Sequence, residues 1–352
     1  MRYRNWAVLV AVITGSHVHA QEIAPEARTY LEAAIQVMQD NFLHKEKIDW
    51  AQLRRDVLGR ARDAQTPAET YRAIRFALGQ LGDRHSYLSL TPELAEKERS
   101  LLEERGVQRA AATAAQSPRE PPSPFMNRRD PDGAIVEGGT RPIGRIVVPQ
   151  FTGSDGNAFA TKLQGLVADV EARKPCAWIV DLRGNTGGNM WPMLAGIGPV
   201  LGEGEPGGFL NYEGKRLRWF YENGRSGLRE ADRDYYAKSD MKPVVLAGSS
   251  PVAVLIDGGT ASSGEAIAVA FRGRPDTRFF GQPTMGVSNS TFPFKLADGA
   301  QLYLVVAVDL DRNGTEYNSG VMPDDAVQNG VKDPVQAAAT NWLSSQNACS
   351  AQ

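Results

Sequence analysis

Apolar residues recur at intervals of three and four through the first third of the chain: Leu31, Ile35, Met38 and Phe42 in "APEARTYLEAAIQVMQDNF", then Leu53, Val57 and Ala61 in "DWAQLRRDVLGRA". Each set falls on one face of a helix, so residues 21–105 read as an N-terminal helical domain. Its sharpest boundary lies in "TPAETYRAIRFALGQLG". There Thr66 can cap, Pro67 suits the first turn, Glu69 can close a capping box and Gly82 can end the helix. Tyr71, Ile74, Leu78 and Leu81 share the apolar face, and the helix runs directly into "DRHSYLS", a turn bearing His85. Another helix is expected over 92–105. Beyond it, "AAATAAQSPREPPSPFMNRRDPDG" has neither a helical nor a strand period, and 106–142 reads as a linker or as a flap over a cleft.

At residue 143 the pattern changes to short apolar runs alternating with helical stretches. "IGRIVVPQF", "AWIVDL", "PVVLAG" and "PVAVLIDG" read as strands, and "GNAFATKLQGLVADVEA", "NMWPMLAGIG" and "SSGEAIAVAF" as helices. Strands this uniformly apolar are buried on both faces, which predicts an α/β domain over 143–345 with a mostly parallel sheet between helices. "RFFG", "STFPFKL" and "AQLYLVVAVDL" predict further strands, as an antiparallel extension. "LNYEGKRLRWFYENG" predicts a hairpin at the rim, whose aromatic and basic residues either face solvent or line a groove.

Composition narrows this picture in two ways. With 352 residues, 42% of them apolar, and a formal charge of −2, the chain can bury a sizeable core but carries no concentrated basic footprint. Nucleic acid and anionic membrane surfaces are therefore poor partners. The first twenty residues, "MRYRNWAVLVAVITGSHVHA", have the form of an export signal: Arg2 and Arg4, an apolar run over 6–13, and the small residues Val18 and Ala20 before a cleavage point. Removal of 1–20 would leave a periplasmic or extracellular protein without a membrane span. Cys176 and Cys349 can pair in such a compartment or remain free; no CxxC motif or larger cysteine framework exists.

Three stretches carry candidate chemistry. In "GGTASSGEAIAVAF", small residues surround Ser262 and Ser263 at the start of a helix, so either hydroxyl can be a helix cap or a nucleophile. "DLRGNTGGN" follows a buried strand and can turn its backbone N–H groups toward an oxygen, as a phosphate cradle or as an oxyanion-binding loop. His19 leaves with the export signal, His44 in "FLHKEK" is expected at the surface, and His85 beside Asp83 and Ser86 is the better candidate for a general base. Two separated histidines without HExxH or paired cysteines do not give zinc-ligand spacing.

Taken together, "GDRHSYL", "DLRGNTGG", "GGTASSGEAIAVAF", "FFGQPTMG" and "NSGVMPDDAV" occur in the order found in the S41 serine peptidases, the tail-specific, C-terminal-processing and tricorn-like proteases, and the chain resembles that family. The resemblance implies a ClpP/crotonase-like α/β core and no cofactor or metal. It selects Ser262 as nucleophile over Ser263, and it gives the oxyanion to the N–H of Ser263 with that of Gly187 or Gly188. Val287 stands 25 residues after Ser262, where tail-specific members carry a lysine base. The base then maps to His85, as in tricorn-like and nisin-resistance-type members. The same comparison nominates Glu316 to orient His85 and Ser86 to assist. "TASSGE" and the absence of room for a PDZ domain between 90 and 140 look most like the nisin-resistance branch. The expected function is hydrolysis of extended or unfolded polypeptide by a Ser-His mechanism. The alternatives are a non-catalytic polypeptide-binding protein on the same fold and an acyl-transfer or thioester-hydrolysing enzyme. The sequence does not set the oligomeric state.

Overall fold

The computed structural model describes residues 22–104, 125, 130–137, 141–232, 234–242, 244–246 and 250–350. The export signal over 1–20 and much of the linker over 106–142 lie outside the described residues. Helices α1 (Pro25–Asn41), α2 (Trp50–Arg60) and α3 (Tyr71–Gln80) come first. They bury the residues whose spacing predicts them, Leu31, Ile35 and Met38 in α1, Leu53 and Val57 in α2, and Tyr71, Ile74 and Leu78 in α3. Glu69 accepts the Thr66 N–H at 3.1 Å, but the first turn, Pro67–Thr70, is 3₁₀ and α3 itself starts at Tyr71. Strand β1 (Tyr87–Ser89) and helix α4 (Pro92–Glu104) follow.

The chain continues through β2 (Asp132–Glu137), β3 (Pro142–Val147), α5 (Gly156–Glu171), β4 (Ala177–Asp181) and α6 (Met190–Leu201). Four strands come next: β5 (Gly207–Asn211), β6 (Arg216–Glu222), β7 (Arg225–Leu228) and β8 (Ala237–Lys238). After them stand β9 (Val252–Ile256), α7 (Ser263–Phe271), β10 (Thr277–Gly281) and β11 (Asn289–Lys295). The last elements are β12 (Gln301–Asp311), β13 (Glu316–Tyr317), β14 (Asp325–Ala326) and α8 (Pro334–Ser344).

One sheet has six strands in the order β14-β10-β9-β4-β3-β2, parallel except for β2 at its edge. Every residue of β4 and β9 is buried, as the apolar runs Ala177–Val180 and Val252–Ile256 require. The strand expected over 243–248 does not form at its described residues: β9 pairs directly with β4, and Val245 is 85% exposed.

The remaining strands correct the expected ClpP/crotonase-like core. They do not merely extend the parallel sheet but make a second sheet of eight strands, β1-β12-β5-β6-β7-β8 with β11 and β13 also on β12, and its described pairings are antiparallel. The physical reason is strand β12, which is apolar toward both sides. Leu302, Leu304 and Val308 pack with α1–α3, whereas Ala307 packs with α7 and the parallel sheet. A strand that serves two cores cannot be a solvent-facing extension.

Cys176 and Cys349 form a disulfide, with Cα atoms 5.1 Å apart, that ties the start of β4 to the C-terminal segment after α8. Closing a loop 173 residues long constrains the unfolded chain, by about 5 kcal/mol in the chain-entropy model. Cys176→Ser is accordingly expected to lower the denaturant midpoint markedly in non-reducing buffer, and the difference from the native protein should shrink once both are reduced.

Candidate active site

Two loops leave the C-terminal ends of the adjacent parallel strands β4 and β9, where open α/β sheets form their crevices. Asp257 fastens them together: its Oδ1 accepts the N–H of Gly184 in one loop and of Gly259 in the other, both at 2.9 Å. Ala261 donates its N–H to the Asn185 carbonyl at 2.9 Å. The approach is close enough to demand glycine, since a Cβ on Gly264 would lie 2.3 Å from the Asn185 carbonyl oxygen, and one on Gly187 would lie 2.9 Å from the Ser262 Cβ.

Ser262 caps α7 with φ 52° and ψ −121°, a backbone conformation that glycine tolerates and other residues adopt at a cost. It is held there by its N–H to Glu265 Oε2 at 2.9 Å and by its carbonyl, which accepts the Ala266 N–H at 3.0 Å. Glu265 is fully buried and is the fastener of this region. Besides Ser262 it accepts the Thr284 hydroxyl at 2.6 Å and the N–H groups of Gly286 and Val287 at 2.8 and 3.0 Å. Burial pushes its carboxyl up from the ordinary glutamate range, while those four donors pull it back. Val287, which the resemblance sets at the position of the tail-specific lysine, is buried.

His85 sits in the turn between α3 and β1. Asp83 Oδ1 accepts the N–H of His85 at 2.7 Å and of Ser86 at 2.6 Å, which fixes the turn. The ring Nδ1 is 2.6 Å from Asn289 Oδ1, at the start of β11. An amide oxygen only accepts, so Nδ1 carries the proton and Nε2 is the basic nitrogen.

A cleft of about 1230 Å³ has His85, Ser262, Ser263, Gly188 and Asn289 in its walls. The first four of these are residues singled out in the sequence; Asn289 is not, because its approach to His85 spans 204 positions. The Gly188 N–H donates to no described residue, while its carbonyl accepts the Ser263 hydroxyl at 2.6 Å. Gly187 differs, because its N–H is already given to Asn185 Oδ1 at 3.0 Å. Ser86 Oγ accepts the Val305 N–H at 3.0 Å and so ties the His85 turn to β12. Glu316 is exposed on β13, with Asn318 Nδ2 at 3.5 Å, and makes no hydrogen bond to His85.

The model of peptidase family S41 matches residues 142–327, and the chain belongs to that family. It is 25% identical over 326 residues to the nisin-resistance protein of Lactococcus lactis subsp. lactis, covering 92% of this chain and 89% of that one. It is also 25% identical over 182 residues to the carboxy-terminal processing protease CtpA of Bacillus subtilis, covering 51% of this chain and 34% of that one. A lipoprotein from Streptococcus agalactiae superposes with a TM-score of 0.64 at 21% identity, over 92% of this chain and 98% of the other. The photosystem II D1 C-terminal processing protease superposes at 0.58 and 17% identity, over 92% and 98%. The two structural likenesses extend over both sheets. They identify the half-barrel and mixed sheet of S41 proteases in place of the expected ClpP/crotonase double layer. Family and fold point to a peptidase acting on polypeptide.

Proposed function

We propose that the chain is an exported serine peptidase that hydrolyses extended polypeptide, with Ser262 as nucleophile and His85 as general base. The observation that carries this reading is the meeting, in one cleft, of a conformationally constrained serine at a helix start, the N–H groups of Ser263 and Gly188, and a histidine whose Nδ1 is held by Asn289. In the reaction His85 Nε2 takes the Ser262 proton as Oγ attacks the peptide carbonyl. The developing oxyanion is received by the Ser263 and Gly188 N–H groups. The imidazolium then protonates the leaving amine, and water, deprotonated by the same nitrogen, releases the acyl group as a carboxylic acid.

Asn289 takes the orienting role that the family resemblance assigned to Glu316. Asn289→Ala is expected to lower kcat by about 10²-fold, the lower end of what a positioned base contributes, with KM nearly unchanged. Steady-state kinetics that show a KM effect alone would remove Asn289 from this role.

The outer edge of β11 is unpaired among the described residues, carries Pro293 and borders the cleft through Ser290, Thr291 and Phe292. A substrate strand can satisfy its backbone along such an edge. Export is supported by the pattern of residues 1–20 and by the disulfide, which persists in an oxidising compartment. Among the described residues no helix is long and apolar enough to cross a membrane. The test is incubation of the native protein and of Ser262→Ala with a mixed peptide pool, followed by mass spectrometry. Products should appear with the native protein alone. Peptides bound but uncut by both would favour a polypeptide-binding protein instead.

A further inference from the structure

Asp309, near the end of β12, is 1% exposed, yet it lies in the wall of the cleft. Its Oδ1 has no hydrogen-bond partner, and no Lys, Arg or His pairs with it among the described residues. This contrasts with Glu265 nearby, whose carboxylate takes four donors. A buried carboxyl without partners is costly, and folded proteins retain few such groups. Burial and the proximity of Glu265 push the Asp309 carboxyl well above the ordinary aspartate range, so the empty site favours the neutral acid and an arriving cation favours its ionised form.

The sheet gives this acid an apolar approach. Asp309 is paired across strands with Phe209 of β5, and Phe209 with Leu217 of β6. Directly opposed residues project on the same face, so the three form a row. Phe209 and Leu217 both line the cleft, as do Ala266 and Ala307, while Ser262 lies on the same wall one turn of α7 before Ala266. An apolar row of wall residues that ends on an unpaired carboxyl matches the side chain that is aliphatic along its stem and cationic at its tip.

We infer that Asp309 is a specificity-determining residue, at the buried end of a subsite that receives a lysine or arginine side chain of the polypeptide substrate. The inference rests on the peptidase reading for its meaning but not for its test. Binding is measured by titration calorimetry on the full-length Ser262→Ala protein, which cannot turn substrate over. The ligands are matched peptides with lysine, norleucine or glutamate scanned through each position. At one position lysine is expected to bind at least about 10-fold more tightly than norleucine, the range of a desolvated charge pair. Adding Asp309→Asn, or Asp309→Ser if the first variant does not fold, should bring the lysine-to-norleucine ratio to about one. Equal binding of lysine and norleucine peptides, no binding of any peptide, or a lysine preference that survives both substitutions would overturn the inference. Failure of the native protein to cleave peptides would sink the serine mechanism while leaving this preference standing.

Discussion

Ser262→Ala is expected to abolish peptide hydrolysis, lowering kcat by about 10⁴-fold or more, because without the hydroxyl no acyl-enzyme forms and only the oxyanion donors and binding remain. The fold should survive. Glu265 still accepts the N–H of residue 262, and Ala266 still donates to its carbonyl. Loss of the capping side chain costs about 1 kcal/mol. Ser262→Gly offers an internal control, since glycine accepts φ 52° without strain. It should be as inactive as the alanine variant yet more stable by about 1 kcal/mol, the scale of strain at a non-glycine residue in this region. Thermal melts and initial rates on the three proteins separate the two effects. An alanine variant that retains more than about a hundredth of native kcat would remove Ser262 as nucleophile.

His85→Ala should cost nearly as much, about 10³- to 10⁴-fold in kcat, since no other histidine among the described residues lines the cleft to take the serine proton. Structural damage should be small, because the turn is held through the backbone N–H groups of His85 and Ser86 on Asp83, neither of which involves the ring. The substitution leaves a space beside Asn289, and added imidazole should restore part of the rate in a concentration-dependent way. A merely structural histidine would give no such rescue. Rates close to native in the alanine variant would assign the base elsewhere.

Local features of this site are legible in the sequence, and long-range ones are not. The period of Leu31, Ile35 and Met38 fixes a helix face because its partners lie within the same element. The small residues around Ser262 and the helix that follows likewise announce a tight turn and its start. The φ of Ser262 is not announced, because it follows from the press of Asn185 and Gly187 against that turn, residues far away in the chain. Asn289 is not legible for the same reason: its proximity to His85 depends on the register of β11 on β12 and on where α3 delivers His85. Nearness to a motif, the ground for Glu316, carries no information on direction, and β13 leaves that residue at the surface. Apolar alternation marks β12 as a strand without stating that both of its faces serve cores, and so the second sheet is not legible in it. Asp309 lies in the cleft wall beside Phe209, its partner across strands, and that pairing is long-range.

The proposed Ser262–His85 pair is tested most directly by reaction with a fluorophosphonate, which modifies only an activated serine, followed by intact-mass and peptide-mapping spectrometry. The native protein should gain one adduct, on Ser262, and His85→Ala should react at least about 10²-fold more slowly, as loss of a general base requires. An adduct on another residue, or equal rates in the two proteins, would contradict the assignment of the nucleophile and its base.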